Sequence, residues 1–302
     1  MSDNTLSLRR KIDSAGDLRS VVRTMKALAA SSIGQYETAV RALEQYSRTV
    51  ELGLGACFRQ SELAGTMAGP KRHRDADVIG AVVFGSDQGL VGQFNEVVAD
   101  DAATALAALP GKHRVWAVGE RVHARLADAG LPPIGLFHVP SSVQAITPLV
   151  GQILVQCEAG HGQSEISELH LFYTRTSSGV VYRPVRQRLL PLDEQWRRTM
   201  AQLVWPTQNL PEVMASGTAT LHALIREYLF ISLFRACAES LASENASRLA
   251  AMERAEKNID ESLENLRRAF HRLRQSSIDE ELFDVIAGFE ALVGPRRPRL
   301  HN

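Results

Sequence analysis

The sequence is poor in cysteine, with only Cys57, Cys157 and Cys237 in 302 residues, widely spaced, odd in number and without a CxxC pair. That argues against a disulfide framework and for reduced, packing thiols in a cytosolic setting. Net charge is missing too, because 34 Lys and Arg balance 34 Asp and Glu. No global field draws such a chain to nucleic acid or to an acidic membrane, so electrostatic recognition has to be local. No window approaches the ~20 consecutive apolar residues of a membrane-spanning helix. Tyr228 to Leu233 comes nearest and is far too short. The opening MSDNTLSLRRKIDSAGDL turns charged at once and has no run of signal-peptide type. Work at a membrane would therefore depend on other subunits.

Catalytic motifs are equally scarce. GxxxxGK[ST] is absent, so nothing cradles ATP phosphates in the P-loop manner. Nine histidines are scattered without an i,i+4 pair on a common helix or a nearby ligand set, which argues against a metal site. There is no GxSxG elbow, and no Ser, His and Asp set can be assembled. Gly85, Gly89 and Gly92 follow a strand and open a helix, where a dinucleotide phosphate would sit. Their spacing is not GxGxxG, and Asp87 sets a carboxylate where a pyrophosphate would approach. A tight turn that positions Asp87 and Asn95 for contacts is the better reading. No cofactor is expected, and the chain is not expected to be an enzyme on its own.

What is present is helical periodicity at both ends. Leu18, Val22, Met25, Ala29, Ser32, Tyr36, Ala39, Leu43, Tyr46 and Val50 step by four and three along a segment from Leu6 to Phe58 and define one coiled-coil seam. Gly16 and Gly34 each weaken that helix by about 1 kcal/mol relative to Ala. Beyond Pro206 and Pro211 the period returns until Val293, a rod of roughly 120 Å at 1.5 Å per residue. Ile259, Leu263, Leu266, Phe270 and Leu273 form its seam. Ile278 then breaks phase, and Leu282, Ile286 and Phe289 resume it. Gly294 and Pro295 stop the helix.

Between these ends the period changes. Val78 to Phe84, Val115 to Val118 and Ile134 to Val139 read as strands alternating with helices to Leu109, over Arg121 to Ala129 and over Thr147 to Cys157. Leu169 to Thr174 and Val180 to Leu190 read as an antiparallel hairpin around Ser177, Ser178 and Gly179. The fold class is α/β: a long antiparallel coiled coil of N- and C-terminal helices plus a central Rossmann-like α/β domain. The expected boundaries are a first shaft helix over 1–60, a linker over 61–76, the α/β domain over 77–206, a second shaft helix over 207–293 and a flexible basic tail over 294–302. Two terminal helices with apolar seams bury them most simply against one another. The charged part of the last helix, Glu253 to Glu281, reads by composition as a solvated coiled-coil face and alternatively as a polar collar that meets partners, and periodicity leaves both open.

Three segments carry a family resemblance. Ala242 to Leu292 resembles the C-terminal signature of F-type ATP synthase gamma subunits, through Ser243, Glu244, Arg248, Ala251 and Met252 and then Asn258, Arg274, Gln275, Ile278, Glu281 and Gly288. The stretch LRRKIDSAGDLRSVVRTMKALAASSI is similar to the family's opening helix at Ile12, Ser14, Met25, Ala29, Ala30 and Ser31. GSDQGLVGQFN is similar to its central signature at Gly85, Ser86, Asp87, Gly89, Leu90, Gly92 and Asn95. Ser32, His271 and Asp279 depart from the family's usual Lys, Asn and Thr, which marks a divergent branch, in the direction of an alternate F-type ATPase, and leaves the coupling ion open between proton and sodium.

The resemblance implies a central-stalk rotor that couples ion flow to ATP synthesis or hydrolysis by rotation. Its implied partners are alpha and beta subunits of the head, the epsilon subunit and the c-ring of the membrane sector, on the cytoplasmic face of the bacterial inner membrane. Membrane contact would come only through those subunits, and nucleic acid is not among the partners. By position, Arg23, Met25, Arg274, Gln275, Ile278 and Glu281 are expected to meet the alpha/beta hexamer, with Arg23 and Met25 opposite Arg274 and Gln275 on the first helix. A free coiled-coil tether and a cofactor-binding α/β enzyme are the rival readings. The tether leaves the central signature unexplained.

Overall fold

A computed structural model describes residues 2–63, 78–158, 166–177, 180–192, 194–209, 211–213 and 217–293. Most of the expected linker, the tip of the hairpin and the basic tail fall outside them. The elements are α1 (Ser2–Leu63), β1 (Val78–Phe84), α2 (Phe94–Ala107), β2 (Lys112–Val118), α3 (Glu120–Asp128), β3 (Gly135–Phe137), α4 (Ile146–Glu158), β4 (Ile166–Ser177), β5 (Val180–Leu190), α5 (Glu194–Ala201) and α6 (Gly217–Val293). The α/β expectation holds, with long terminal helices around a mostly parallel sheet. Two compact units divide the chain, Met1–Lys26 with Met252–Asn302, and Ala27–Ala251.

In the larger unit the strand order is β3-β2-β1-β4-β5, parallel except for the antiparallel β4 and β5 pair at one edge. Every residue of β1 is buried, as a central strand covered on both faces requires. Its alternation divides the core. Val82 and Phe84 join Trp116, Val118, Leu171 and Tyr173 on the face covered by α4 and by the α1 and α6 residues Tyr36, Leu233 and Leu241. Ile79, Ala81 and Val83 join Val115, Ala117 and Phe172 beneath α2 and α3. Val98, Ala102 and Leu106 on α2 and Val122 and Leu126 on α3 recur at helical spacing and present one apolar face to the sheet. Each large side chain so buried contributes about 1.5–3 kcal/mol.

β3 is shorter than the Ile134 to Val139 run suggests. Pro132 and Pro133 precede it, and the backbone N–H of Val139 donates to Asp87 rather than to a neighbouring strand. α5 is too short for periodicity to reveal. It is fixed by Trp196 and Met200, which pack with Val50, Leu54, Phe58, Leu224 and Tyr228 in a third cluster. α6 begins at Gly217, past the proline-bearing stretch that includes Pro206 and Pro211. Within this unit the terminal helices run antiparallel, with the Tyr46 hydroxyl donating to Glu227 at 2.8 Å.

In the smaller unit the ion pairs set the register. Arg19 lies 2.8 Å from Asp260 and Arg23 lies 2.7 Å from Glu256, so four residues up α1 correspond to four residues down α6. Lys26 reaches the other Glu256 oxygen at 2.9 Å. Val22, Met252 and Leu263 are buried here, whereas Leu18, placed on the seam by the apolar pattern alone, is 53% exposed.

Two glycines separate backbone crowding from side-chain crowding. A Cβ at Gly55 would collide with the carbonyl of Met200, a backbone atom in α5, whereas a Cβ at Gly53 would meet only the flexible Leu224 side chain at 3.2 Å. Gly55→Ala is expected to cost about 1–3 kcal/mol and to lower the melting temperature by about 3–10 °C. In Gly53→Ala the helix-propensity gain of about 1 kcal/mol offsets most of the crowding, and calorimetry of the two variants checks the contrast.

Candidate partner interface

The central signature folds into a brace. Gly85 leaves β1 with its N–H donating to the Val118 carbonyl at 2.8 Å. A Cβ there would strike Val122 and come within 2.7 Å of Asn95 Oδ1, so only glycine fits. The buried Ser86 donates its N–H to Asn95 Oδ1 at 2.9 Å and receives the Asn95 amide on its hydroxyl at 2.9 Å. That hydroxyl donates in turn to the carbonyl of Gln88. Asp87 accepts from the N–H of Glu120 at 3.0 Å, at the start of α3, and from that of Val139 at 2.9 Å. Its carboxylate thus uses a helix-start amide that a phosphate would need, and it ties the loop to two other segments.

The loop then turns outward. Leu90 and Gly92 adopt φ of 63° and 60° around the buried Val91, whose carbonyl accepts from the Ser247 hydroxyl on α6. Leu90 is a non-glycine in the left-handed region with a 60% exposed side chain, an arrangement that burial does not account for. Seven signature residues thus divide by role. Gly85, Ser86, Asp87 and Asn95 hold the turn from within, Gly92 with its positive φ lets it bend, Leu90 projects, and nothing in the structure requires glycine at Gly89.

The nearby Ser243 and Glu244 are also buried. Arg248 donates to Glu244 at 2.6 Å, and burial pushes the carboxyl upward against that contact.

In the smaller unit, Arg274, Gln275, Ile278 and Glu281 are exposed to different degrees, Ile278 at 53%, whereas Met25 is half-buried. Arg23 is not opposite Arg274. Its guanidinium donates to Glu256, 18 residues from Arg274, because the antiparallel register fixed by Arg19 and Asp260 carries Arg23 to that level. The same register brings Ser2, where α1 begins, level with Ser277. Nothing of the described α1 remains to cover the rest of α6. Leu282, Phe283, Val285, Ile286 and Phe289 stand 45–69% exposed. Leu282, Ile286 and Phe289 therefore do not resume a seam with α1. The signal in the sequence is length, since the last helix outruns the first. Such a contiguous exposed apolar face on a helix marks an interaction surface.

No cluster of His, Cys, Asp and Glu suited to a metal ion occurs among the described residues, and none of their helices is long and apolar enough to cross a membrane.

Comparison with known proteins gives concordant matches. The family model described as ATP synthase matches residues 4–292. The chain is similar to the ATP synthase gamma chain of Arthrobacter sp. (strain FB24), 29% identical over 293 residues that cover 94% of this chain and 96% of that one. It is similar to the ATP synthase gamma chain of Nostoc punctiforme at 28% identity over 321 residues, covering 96% and 99%. In fold it resembles a chain of the Euglena gracilis mitochondrial ATP synthase structure of OSCP, F1 and c-ring, with TM-score 0.66, 16% identity and both chains covered in full. A chain of the Tetrahymena thermophila central stalk and c-ring structure matches with TM-score 0.55 and 18% identity over 78% of this chain and 99% of that one.

The Glu256 clamp carries a pH prediction. Hydrogen bonds from Arg23 and Lys26 hold its carboxyl down to about 2, against an ordinary value of 4.5. A depressed carboxyl stabilises the folded state above its unfolded value, and that contribution is lost as the pH falls from 4.5 toward 2. Hydrogen-exchange protection of residues 19–26 and 252–260 is expected to drop several-fold between pH 5 and pH 2.5, with the drop largely absent in Glu256→Gln.

Proposed function

The chain belongs to the ATP synthase gamma family, and from that premise we propose how its parts serve a rotary machine. It is a central-stalk subunit of an F-type ATP synthase. The proposal is that the smaller, helical unit is the part of the rotor that enters the hexamer of alternating alpha and beta subunits. The carrying observation is the exposed apolar face of α6 over 278–289, beyond the reach of α1. A helix that long and that greasy on the outside is stable only with an apolar lining around it, and a sleeve formed by other subunits supplies one.

The sheet-bearing unit would lie beside the epsilon subunit and on the c-ring. The assembly would sit on the cytoplasmic face of the bacterial inner membrane, held there by other subunits. The chain would carry no catalytic group of its own. Ion flow through the ring would turn it, and each face of the helical unit would favour one state of each catalytic site through differential contact energy. Such contacts have to be modest, because a strong one would hold the rotor at one angle. Arg274, Gln275 and Glu281, polar and exposed just before and within the apolar face, suit weak contacts with a beta-subunit loop.

Reconstitution with alpha and beta subunits and the membrane sector tests this. With two weak polar contacts removed, together worth about 1 kcal/mol, Arg274→Ala combined with Gln275→Ala is expected to lower ion pumping per ATP hydrolysed by roughly 3–10-fold while assembly stays intact. Unchanged pumping in that double variant removes those two residues from the coupling path.

A further inference from the structure

The first 26 residues contain a conflict between sequence and packing. The least exposed positions of α1 in the smaller unit include Ile12, Ala15, Arg19, Val22 and Lys26, which step by three and four along one seam. Two of the five are cations. Leu18 and Met25, one residue before each cation, offer a second seam that runs Leu18, Val22, Met25 and is apolar throughout. In the structure Val22 is buried and Met25 half-buried, but Leu18 is 53% exposed, with Val21 beside it at 55%. The two seams share Val22 and differ by a turn of α1 about its own axis of roughly 60°, given ~100° per residue.

Burial of apolar area favours the second seam. The first is favoured by ion pairs: Arg19 with Asp260 at 2.8 Å, Arg23 with Glu256 at 2.7 Å and Lys26 with Glu256 at 2.9 Å. On the α6 side Glu253, Glu261 and Glu264 share a groove with Glu256, Asp260 and Lys26, so the local field along that flank is negative, offset in part by Lys257. The α6 groups that face the cations of α1 are thus carboxylates, with Lys257 as the exception.

We propose that Glu256 and Asp260 are positioning residues, which hold α1 in one of two rotational settings and so decide which of its faces is turned outward. With both carboxylates ionised and unscreened, the cations stay in the seam and the Leu18 and Val21 face points out. With the ion pairs broken, Leu18 turns inward, the half-buried Met25 goes deeper, and Arg19 and Lys26 move further out to join the already exposed Arg23. Salt screens exposed ion pairs and leaves apolar burial intact, so the balance between settings shifts with ionic strength. The two settings do not depend on the rotor reading. Their consequence for the stalk, a shaft whose outward face alternates between apolar and cationic, does rest on it.

A thiol reporter on the full chain tests the settings without any partner. Val21→Cys leaves Leu18 and Met25 in place, and its modification rate is read by peptide mass spectrometry against the native Cys57, Cys157 and Cys237. At low salt the reporter is expected to react as an exposed thiol. Its rate is expected to fall about threefold or more at 1 M NaCl, and likewise at low salt when Glu256→Gln and Asp260→Asn are combined, with helix content by circular dichroism unchanged. A rate that stays constant in both arms overturns the proposal, as does a rate that rises. Should the double variant lose helix content, the salt arm on the unsubstituted clamp decides alone, and neither arm bears on whether the chain is a rotor.

Discussion

Register between antiparallel helices is the constraint that organises the smaller unit. Once Arg19 pairs with Asp260 and Arg23 with Glu256, every other level of that unit is set. Ser2 falls beside Ser277, and the apolar residues from Ile278 to Phe289 are left without a cover from the described part of α1. A monomer that exposes such a face either aggregates or works inside something. The same register explains why Arg23 cannot stand opposite Arg274, since a helix has no means of reaching 18 residues along its partner.

The larger unit obeys a different constraint, the covering of a parallel sheet on both faces. β1 divides its side chains between two cores, and the loop that leaves it has to turn sharply without disturbing either. Gly85 provides the turn because any side chain would strike Val122, and Asn95 satisfies both the N–H and the hydroxyl of Ser86. Asp87 then fastens α3 and the segment after β3 to the same point. The signature is therefore conformational before it is anything else. Leu90, strained and exposed at its tip, is the one member whose side chain has no work inside the unit.

Much of this architecture is legible in the residues. The change from a period of about 3.6 to short apolar runs locates the sheet, and the alternation of strands with helices gives its parallel character. The steps of three and four locate the helices and most of the α1 contact, since Val22, Ala29, Tyr36 and Val50 are buried and Ala39 and Leu43 pack on the core. Leu18 fits the apolar seam yet is 53% exposed, because the pattern counts hydrophobic residues and cannot see the ion pairs that set α1 at that level, and Tyr46, 46% exposed, meets α6 through its hydroxyl and Glu227 instead of through its ring. α5 escapes the pattern because eight residues carry too little periodicity, and only its tertiary partners at Val50, Leu54 and Phe58 reveal why it forms. Asp87 and Asn95 are readable as a contact-making pair, although their partners, Glu120, Val139 and Ser86, are not. The uncovered face of α6 needs both helix lengths and a register, and only the first of these is written in the sequence.

The central claim is that the apolar end of α6 is a buried surface when the chain is in place. Site-specific thiol modification of Phe283→Cys, measured on the full chain alone and again after assembly with alpha and beta subunits, tests this directly. The reporter should react freely in the isolated chain, where Phe283 is 68% exposed, and at least tenfold more slowly in the assembly. Equal rates in the two states would contradict that claim.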